Sequence, residues 1–117
     1  MKKIYYLSTC DTCKRIINEL NLSSDFILQD IKTETMTKAQ IEEMRALTDS
    51  YEALFSKRAR LYKELGLKEK SLSEEEYKNY ILEHYTFLKR PVILYNNQIF
   101  IGNSKKTVES AKLAIHE

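Results

Sequence analysis

Apolar and polar positions fall along this chain in blocks whose period changes several times. Ile4 to Leu7 is apolar on consecutive positions, with Tyr5 and Tyr6 inside it, which predicts a strand buried on both faces of a sheet. The next block has a helical period. Cys13, Ile16, Ile17 and Leu20 share one face of a 3.6-residue repeat, so a helix of about ten residues is expected to stop near Asn21. Asp25 to Ile31 reads as a second strand. Strand, helix and strand in this order predict parallel pairing through a right-handed crossover.

The middle of the chain is mostly helical in pattern. Thr37 and Gln40 have the spacing of a capping box, with Ile41, Met44 and Leu47 as the inward stripe behind it. After a break at residues 48–50, Ala53, Leu54, Leu61 and Leu65 are placed to pack, and Gly66 to end a helix. Ser73 and Glu76 form a second capping box, followed by Tyr77, Tyr80, Ile81 and His84 at helical spacing. His84 reads as a flanking or cap residue of that stripe. Strands then return: Pro91 to Tyr95, a turn at Asn96-Asn97, and Gln98 to Ile101 form an antiparallel hairpin. Ser104 caps a last helix lined by Val108, Ala111 and Ile115. The order β-α-β, helical block, β-β-α predicts an α/β fold with a four-stranded mixed sheet covered by helices on both faces, the arrangement of a thioredoxin-like domain. The expected organisation is a single domain over residues 1–117 with a helical insertion at about 37–86.

Composition narrows the function classes. The chain has 117 residues, 43% of them hydrophobic, with 19 basic and 17 acidic side chains and a formal charge of +2. That balance does not favour nucleic acid as a direct partner. No apolar run approaches the roughly 18 to 20 residues that span a bilayer, and MKKIYYLSTC is not a signal peptide in pattern, so a cytoplasmic protein without membrane contact is expected.

Candidate chemistry centres on Leu7 to Leu20, which carries both cysteines of the chain, Cys10 and Cys13. The helical register puts Cys13 in the first turn facing inward and Cys10 at or before the cap, where free backbone N–H groups and the positive helix end stabilise a thiolate. Lys14 and Arg15 add positive charge, and Asp11 opposes it. Two cysteines this close can also be buried filler or half of a zinc site. Zinc takes four ligands, however, and the only histidines, His84 and His116, have no ligand spacing, so no metal is expected. In a reducing compartment a Cys-x-x-Cys pair favours redox or nucleophilic chemistry over a structural staple.

Pro91, the only proline, opens a strand directly after Lys89-Arg90, a position where a cis bond occurs and no ladder donor is required. If cis and facing the cysteine loop, it presents backbone groups to whatever docks on Cys10. Arg90 then stands at the mouth of the site, its planar fork suited to an oxyanion or a carboxylate. Arg58 is the second candidate, from a basic group (Lys57, Arg58, Arg60, Lys63) that otherwise reads as a solvated face. Thr12, between the cysteines, joins Arg58, Arg90 and Pro91 as a substrate-binding candidate. Two reactions suit a Cys10 nucleophile. It attacks a glutathione or protein disulfide, with Cys13 as resolving thiol, or it attacks an arsenate-like oxyanion and a second thiol reduces the adduct.

These pieces resemble the ArsC/Spx/YffB family of arsenate reductase-like, thioredoxin-fold proteins. The matching segments are TCDTCK around Cys10, Ser56-Lys-Arg58 with Tyr62 to Leu67, Lys89-Arg-Pro-Val92, and Ile99 to Gly102, in family order. The resemblance implies that Cys10 is the reactive cysteine, that Arg90 before a cis Pro91 helps bind the anion or thiol substrate, and that the helical block is this family's insertion. No bound cofactor is expected, with glutathione or a thioredoxin/glutaredoxin system as reductant. Ser56 stands where one group of arsenate reductases has an arginine, Arg58 matches the Spx and YffB pattern, and QIFIGNS offers no third arginine. Spx proteins carry Cys-x-x-Cys as a redox switch and bind the RNA polymerase α subunit, which is the alternative partner here. The family's glycine in the loop before Ser56 is not evident in RALTDSYEALF.

Overall fold

The computed structural model describes residues 1–117. In chain order the elements are β1 (Lys2–Tyr6), α1 (Asp11–Leu20), β2 (Ile27–Asp30), α2 (Lys38–Ala46), α3 (Arg60–Glu64), α4 (Glu74–Glu83), β3 (Val92–Tyr95), β4 (Gln98–Ile101) and α5 (Lys105–His116), with 3₁₀ turns at Glu52–Leu54, Leu67–Glu69 and Tyr85–Phe87. They divide into two compact units, one made of Met1–Thr35 and Arg90–Glu117, the other of Met36–Lys89.

The first unit holds the sheet, in the order β2-β1-β3-β4. β1 runs parallel to β2 and antiparallel to β3, and β3 pairs antiparallel with β4. This is the four-stranded mixed sheet of a thioredoxin-like fold. Register places Ile4 opposite Ile93, and Ile93 opposite Phe100, so these three share one face. On that face Ile4 and Ile93 pack with Ile16 and Leu20 of α1 and Val108 and Ala111 of α5, all buried. Fully burying an aliphatic side chain contributes about 1.5–3 kcal/mol, which makes this cluster the main reason that α1 and α5 stay on the sheet. The side chains of alternate parity, Tyr5, Val92 and Leu94, point to the opposite face and are also buried. Strand β1 is thus buried on both faces at its centre.

Local signals set the ends of these elements. Asn21 takes the left-handed conformation (φ 50°) and stops α1; His116 hydrogen-bonds the carbonyl of Leu20 at 2.6 Å and ties the end of α5 to the end of α1. Asn96 (φ 55°) makes the β3–β4 turn, and Ser104 accepts from the Thr107 N–H to start α5.

In the second unit, α2 and α4 each begin with a complete capping box, Thr37 with Gln40 and Ser73 with Glu76. His84 is the C-cap of α4 and is exposed. Phe55 is the hub of an aromatic cluster, stacked on Phe87 and edge-on to Tyr77 at 4.9 Å each. A short antiparallel bridge joins Phe55 to Leu88, with the Lys89 N–H donating to Leu54 at 2.8 Å. One expectation fails in this unit. Helix α3 is five residues long with no buried residue, and Leu65 is 45% exposed. Gly66 (φ 66°) ends the helix and the following 3₁₀ turn buries Leu67 instead. A helical period holds only while the helix lasts, and this one stops before Leu65 can turn inward.

Candidate active site

Strand β1 delivers the chain into a tight turn closed by the Cys10 N–H donating to the Leu7 carbonyl at 3.0 Å. The Lys14 N–H then donates to the Cys10 carbonyl at 3.2 Å, the first bond of α1, so Cys10 is the N-cap, with extended backbone angles. Its side chain makes no capping hydrogen bond and is half-buried. The first-turn N–H groups therefore lack the oxygen that Ser, Thr or Asp would supply at this position, and a thiolate is the form of Cys10 that answers them.

The two thiols, both free, are driven apart. Burial pushes the Cys10 thiol up, but the Cys13 N–H, the Cys13 thiol, the Arg90 guanidinium and the Thr12 N–H together outweigh it, and the net displacement is downward. Cys13 is fully buried. Burial pushes its thiol up, the Leu7 N–H and, less strongly, Arg90 pull it the other way, the adjacent Cys10 adds to the rise, and the net result is about 11. Within the pair the thiolate form is thus favoured at Cys10, at the helix mouth, over Cys13 behind it, whose thiol can donate to that thiolate.

Arg90 and Pro91 open the second segment of this unit. Their peptide bond is cis. Pro91 is buried, and its carbonyl accepts from the Gly102 N–H at 3.0 Å, which ties the entry to β3 to the exit from β4. Cys10, Thr12, Cys13 and Arg90 are therefore brought to one place. Arg58 belongs to the second unit, where it is exposed in the turn before α3, as are Lys57, Arg60 and Lys63. No group of three or more His, Cys, Asp or Glu side chains is gathered so as to hold a metal ion.

Sequence reasoning missed Asp30. This residue ends β2 in register with Tyr6, and its carboxylate accepts from the N–H groups of Ser8 and Lys32, each at 3.2 Å. An aspartate accepting from the N–H two residues on is an Asx turn. The Asp-Ile-Lys-Thr sequence after an apolar strand carries that signal, but nothing local reports the bond to Ser8.

The sequence profile of the ArsC family matches residues 5–111. The chain belongs to the ArsC family. Among curated relatives it is 24% identical over 107 residues to the global transcriptional regulator Spx 2 of Bacillus cereus, covering 90% of this chain and 82% of that protein. The Spx 2 regulator of Bacillus anthracis is 25% identical over 104 residues. Among solved structures, an arsenate reductase from Vibrio cholerae superposes with a TM-score of 0.78 at 20% identity, covering 97% of this chain and 96% of that one. An ArsC family related protein from Bacteroides fragilis gives the same TM-score and identity, over 94% and 96% of the two chains. These structural likenesses establish the thioredoxin-like fold of the ArsC family for this chain.

Proposed function

We propose that this protein is a thiol-dependent oxidoreductase of the arsenate reductase-like kind, with Cys10 as nucleophile and Cys13 as resolving thiol. The observation that carries this reading is the placement of the two free thiols, Cys10 at the N-cap of α1, reachable and without a capping bond, and Cys13 buried one turn behind it. The opposed displacement of their thiols, Cys10 downward and Cys13 upward, agrees with it. At a substrate disulfide, the Cys10 thiolate attacks one sulfur, a mixed disulfide forms, and the other sulfur leaves as a thiolate. Cys13 then loses its proton and attacks Cys10, the second substrate thiolate departs, and the protein holds a Cys10–Cys13 disulfide. Two electrons pass from the protein to the substrate, and glutathione or a thioredoxin/glutaredoxin system restores them. With an arsenate-like oxyanion the same thiolate attacks the central atom and one oxygen, protonated, leaves as water. An external thiol then attacks the Cys10 sulfur, forming a mixed disulfide, and the sulfur–arsenic bonding pair stays on the central atom, which departs reduced by two electrons, while a further thiol releases Cys10. Thr12 and Arg90 supply an N–H and a positive charge to the entering group, beside Pro91. The reading places the protein in a reducing compartment, the cytosol.

The test is steady-state turnover of the reduced protein with arsenate and, separately, with a glutathione mixed disulfide, each with coupled reductant. Turnover abolished in Cys10→Ser is expected with at least one substrate; turnover that persists in Cys10→Ser overturns the assignment. Arg58→Gln in the same assay tests the second candidate arginine, which matches the Spx and YffB pattern. A second reading, a redox-sensing regulator that binds the RNA polymerase α subunit, draws support from the Spx 2 relatives covering 90% of the chain. It predicts stoichiometric capture of that subunit, dependent on the redox state of Cys10 and Cys13, with no turnover of either substrate.

A further inference from the structure

Cys10 sits at the end of a four-residue turn, and a turn this short transmits any movement at its start to the thiol. The Leu7 carbonyl holds one side of the turn through the Cys10 N–H at 3.0 Å. What holds the other side comes from β2. Strand alternation puts Asp30 on the α1 side of the sheet, because Asp30 pairs with Tyr6 and Tyr6 shares a face with Ile4. One step beyond that pair, the Ile31 N–H donates to the Tyr6 carbonyl at 2.9 Å, and the ladder then passes to the Asp30 side chain, which accepts from Ser8 at 3.2 Å. The carboxylate thus extends the β1–β2 pairing by one rung into the cysteine turn.

Asp30 is itself held in place. Its Oδ1 also takes the Lys32 N–H at 3.2 Å, and its carbonyl accepts from the N–H groups of Thr33 (3.2 Å) and Glu34 (2.8 Å), so a compact turn grips the residue on its C-terminal side. The Ser8 side chain and then the backbone N–H groups of Ser8 and Lys32 hold its carboxyl below the ordinary range, against an opposing contribution from burial. The group is therefore an ionised acceptor at neutral pH, and charge-assisted hydrogen bonds of this type are the stronger ones.

We infer that Asp30 is a positioning residue for Cys10: by holding the Ser8 N–H it fixes the turn that seats the thiol over the first N–H groups of α1. This rests on Cys10 being the reactive thiol. A purely electrostatic role has the opposite sign, since a nearby anion disfavours a thiolate and its removal would speed the thiol's reactions. The two roles therefore separate in a pair of variants. Asp30→Asn keeps an oxygen acceptor for Ser8 and removes the charge; Asp30→Ala removes both.

The experiment is the rate of Cys10 alkylation against pH, by mass spectrometry of the labelled peptide. Asp30→Ala is expected to shift the profile to higher pH and to slow alkylation near neutrality by about threefold or more, with Asp30→Asn restoring the wild-type profile or exceeding its rate. Asp25→Ala, which removes an exposed ion pair with Lys2 just before β2, is expected to leave the profile unchanged and controls for general loosening of the strand. Asp30→Ala at or above the wild-type rate, or Asp25→Ala slowed equally, overturns the inference. Should Asp30→Ala fail to fold, amide hydrogen exchange on the wild type and Asp30→Asn decides it: Ser8 is expected to be protected in both, and an unprotected Ser8 in the wild type overturns the inference. Failure of the proposed function is read separately, as absence of Cys10-dependent turnover, and leaves these profiles meaningful.

Discussion

Cys10 and Cys13 are the same residue type one helical turn apart, yet their surroundings move them in opposite directions. The consequence is selective labelling. In the folded protein Cys10 is expected to alkylate at neutral pH while Cys13, buried and raised to about 11, reacts only on unfolding; peptide mass spectrometry after limited labelling checks this. Arg90→Gln removes a positive charge that favours the Cys10 thiolate, so its rate-against-pH curve is expected to move to higher pH, and an unmoved curve would remove Arg90 from the site's electrostatics. The sequence alone shows why Cys10 sits at a cap, because the apolar stripe of α1 dictates the phase of the helix. The contribution of Arg90 is different in kind. Eighty residues of chain separate it from Cys10, and only the β1–β3 pairing brings the two segments together.

At the scale of single elements, caps and turns decide where helices begin and end. Thr37→Ala and Ser73→Ala each remove the acceptor of a complete capping box, and each is expected to lower stability by about 1 kcal/mol in denaturant titration, with α2 or α4 exchanging its first-turn amides faster. Gly66 holds φ 66° with open space around its missing side chain. Gly66→Ala therefore meets backbone strain and no clash, a cost of about 1 kcal/mol. These features were legible in sequence because a cap involves residues within four positions of one another. The fate of Leu65 was not, since α3 is too short for its period to be read and the burial of Leu67 is settled by the turn after it.

For the molecule as a whole, several carboxyls are held below their ordinary range: Asp25 by Lys2, Asp30 by Ser8, Glu52 by Lys57 and Glu76 by the Ser73 backbone. A carboxyl depressed on folding binds its proton more weakly in the native than in the unfolded state. The stability it contributes is present above its unfolded value and is lost as pH falls through its folded one. The thermal midpoint is expected to fall progressively below about pH 4. Added salt should weaken the exposed Lys2–Asp25 and Lys57–Glu52 pairs, both at 2.7 Å, more than the bonds that Ser8 and Ser73 make to their carboxylates. Lys2, Lys57 and Lys78 are raised by their partners Asp25, Glu52 and Glu42, so the contribution of these pairs disappears at the alkaline end as the lysines deprotonate. No helix of the chain is long and apolar enough to cross a membrane.

What the sequence by itself determined was whatever depends on neighbours along the chain: the strand and helix periods, the two capping boxes, the Asn96 turn, the phase that buries Cys13 and leaves Cys10 at the cap, and the ordered motifs of the ArsC family. The tertiary structure alone decided the sheet order β2-β1-β3-β4, the approach of Arg90 to the thiols and the rung that Asp30 adds beneath the cysteine turn. The physical reason is one of range. Periodicity and capping follow from bonds spanning a few residues, whereas a charge beside a thiol or a carboxylate under a turn exists only after strands distant in sequence have paired.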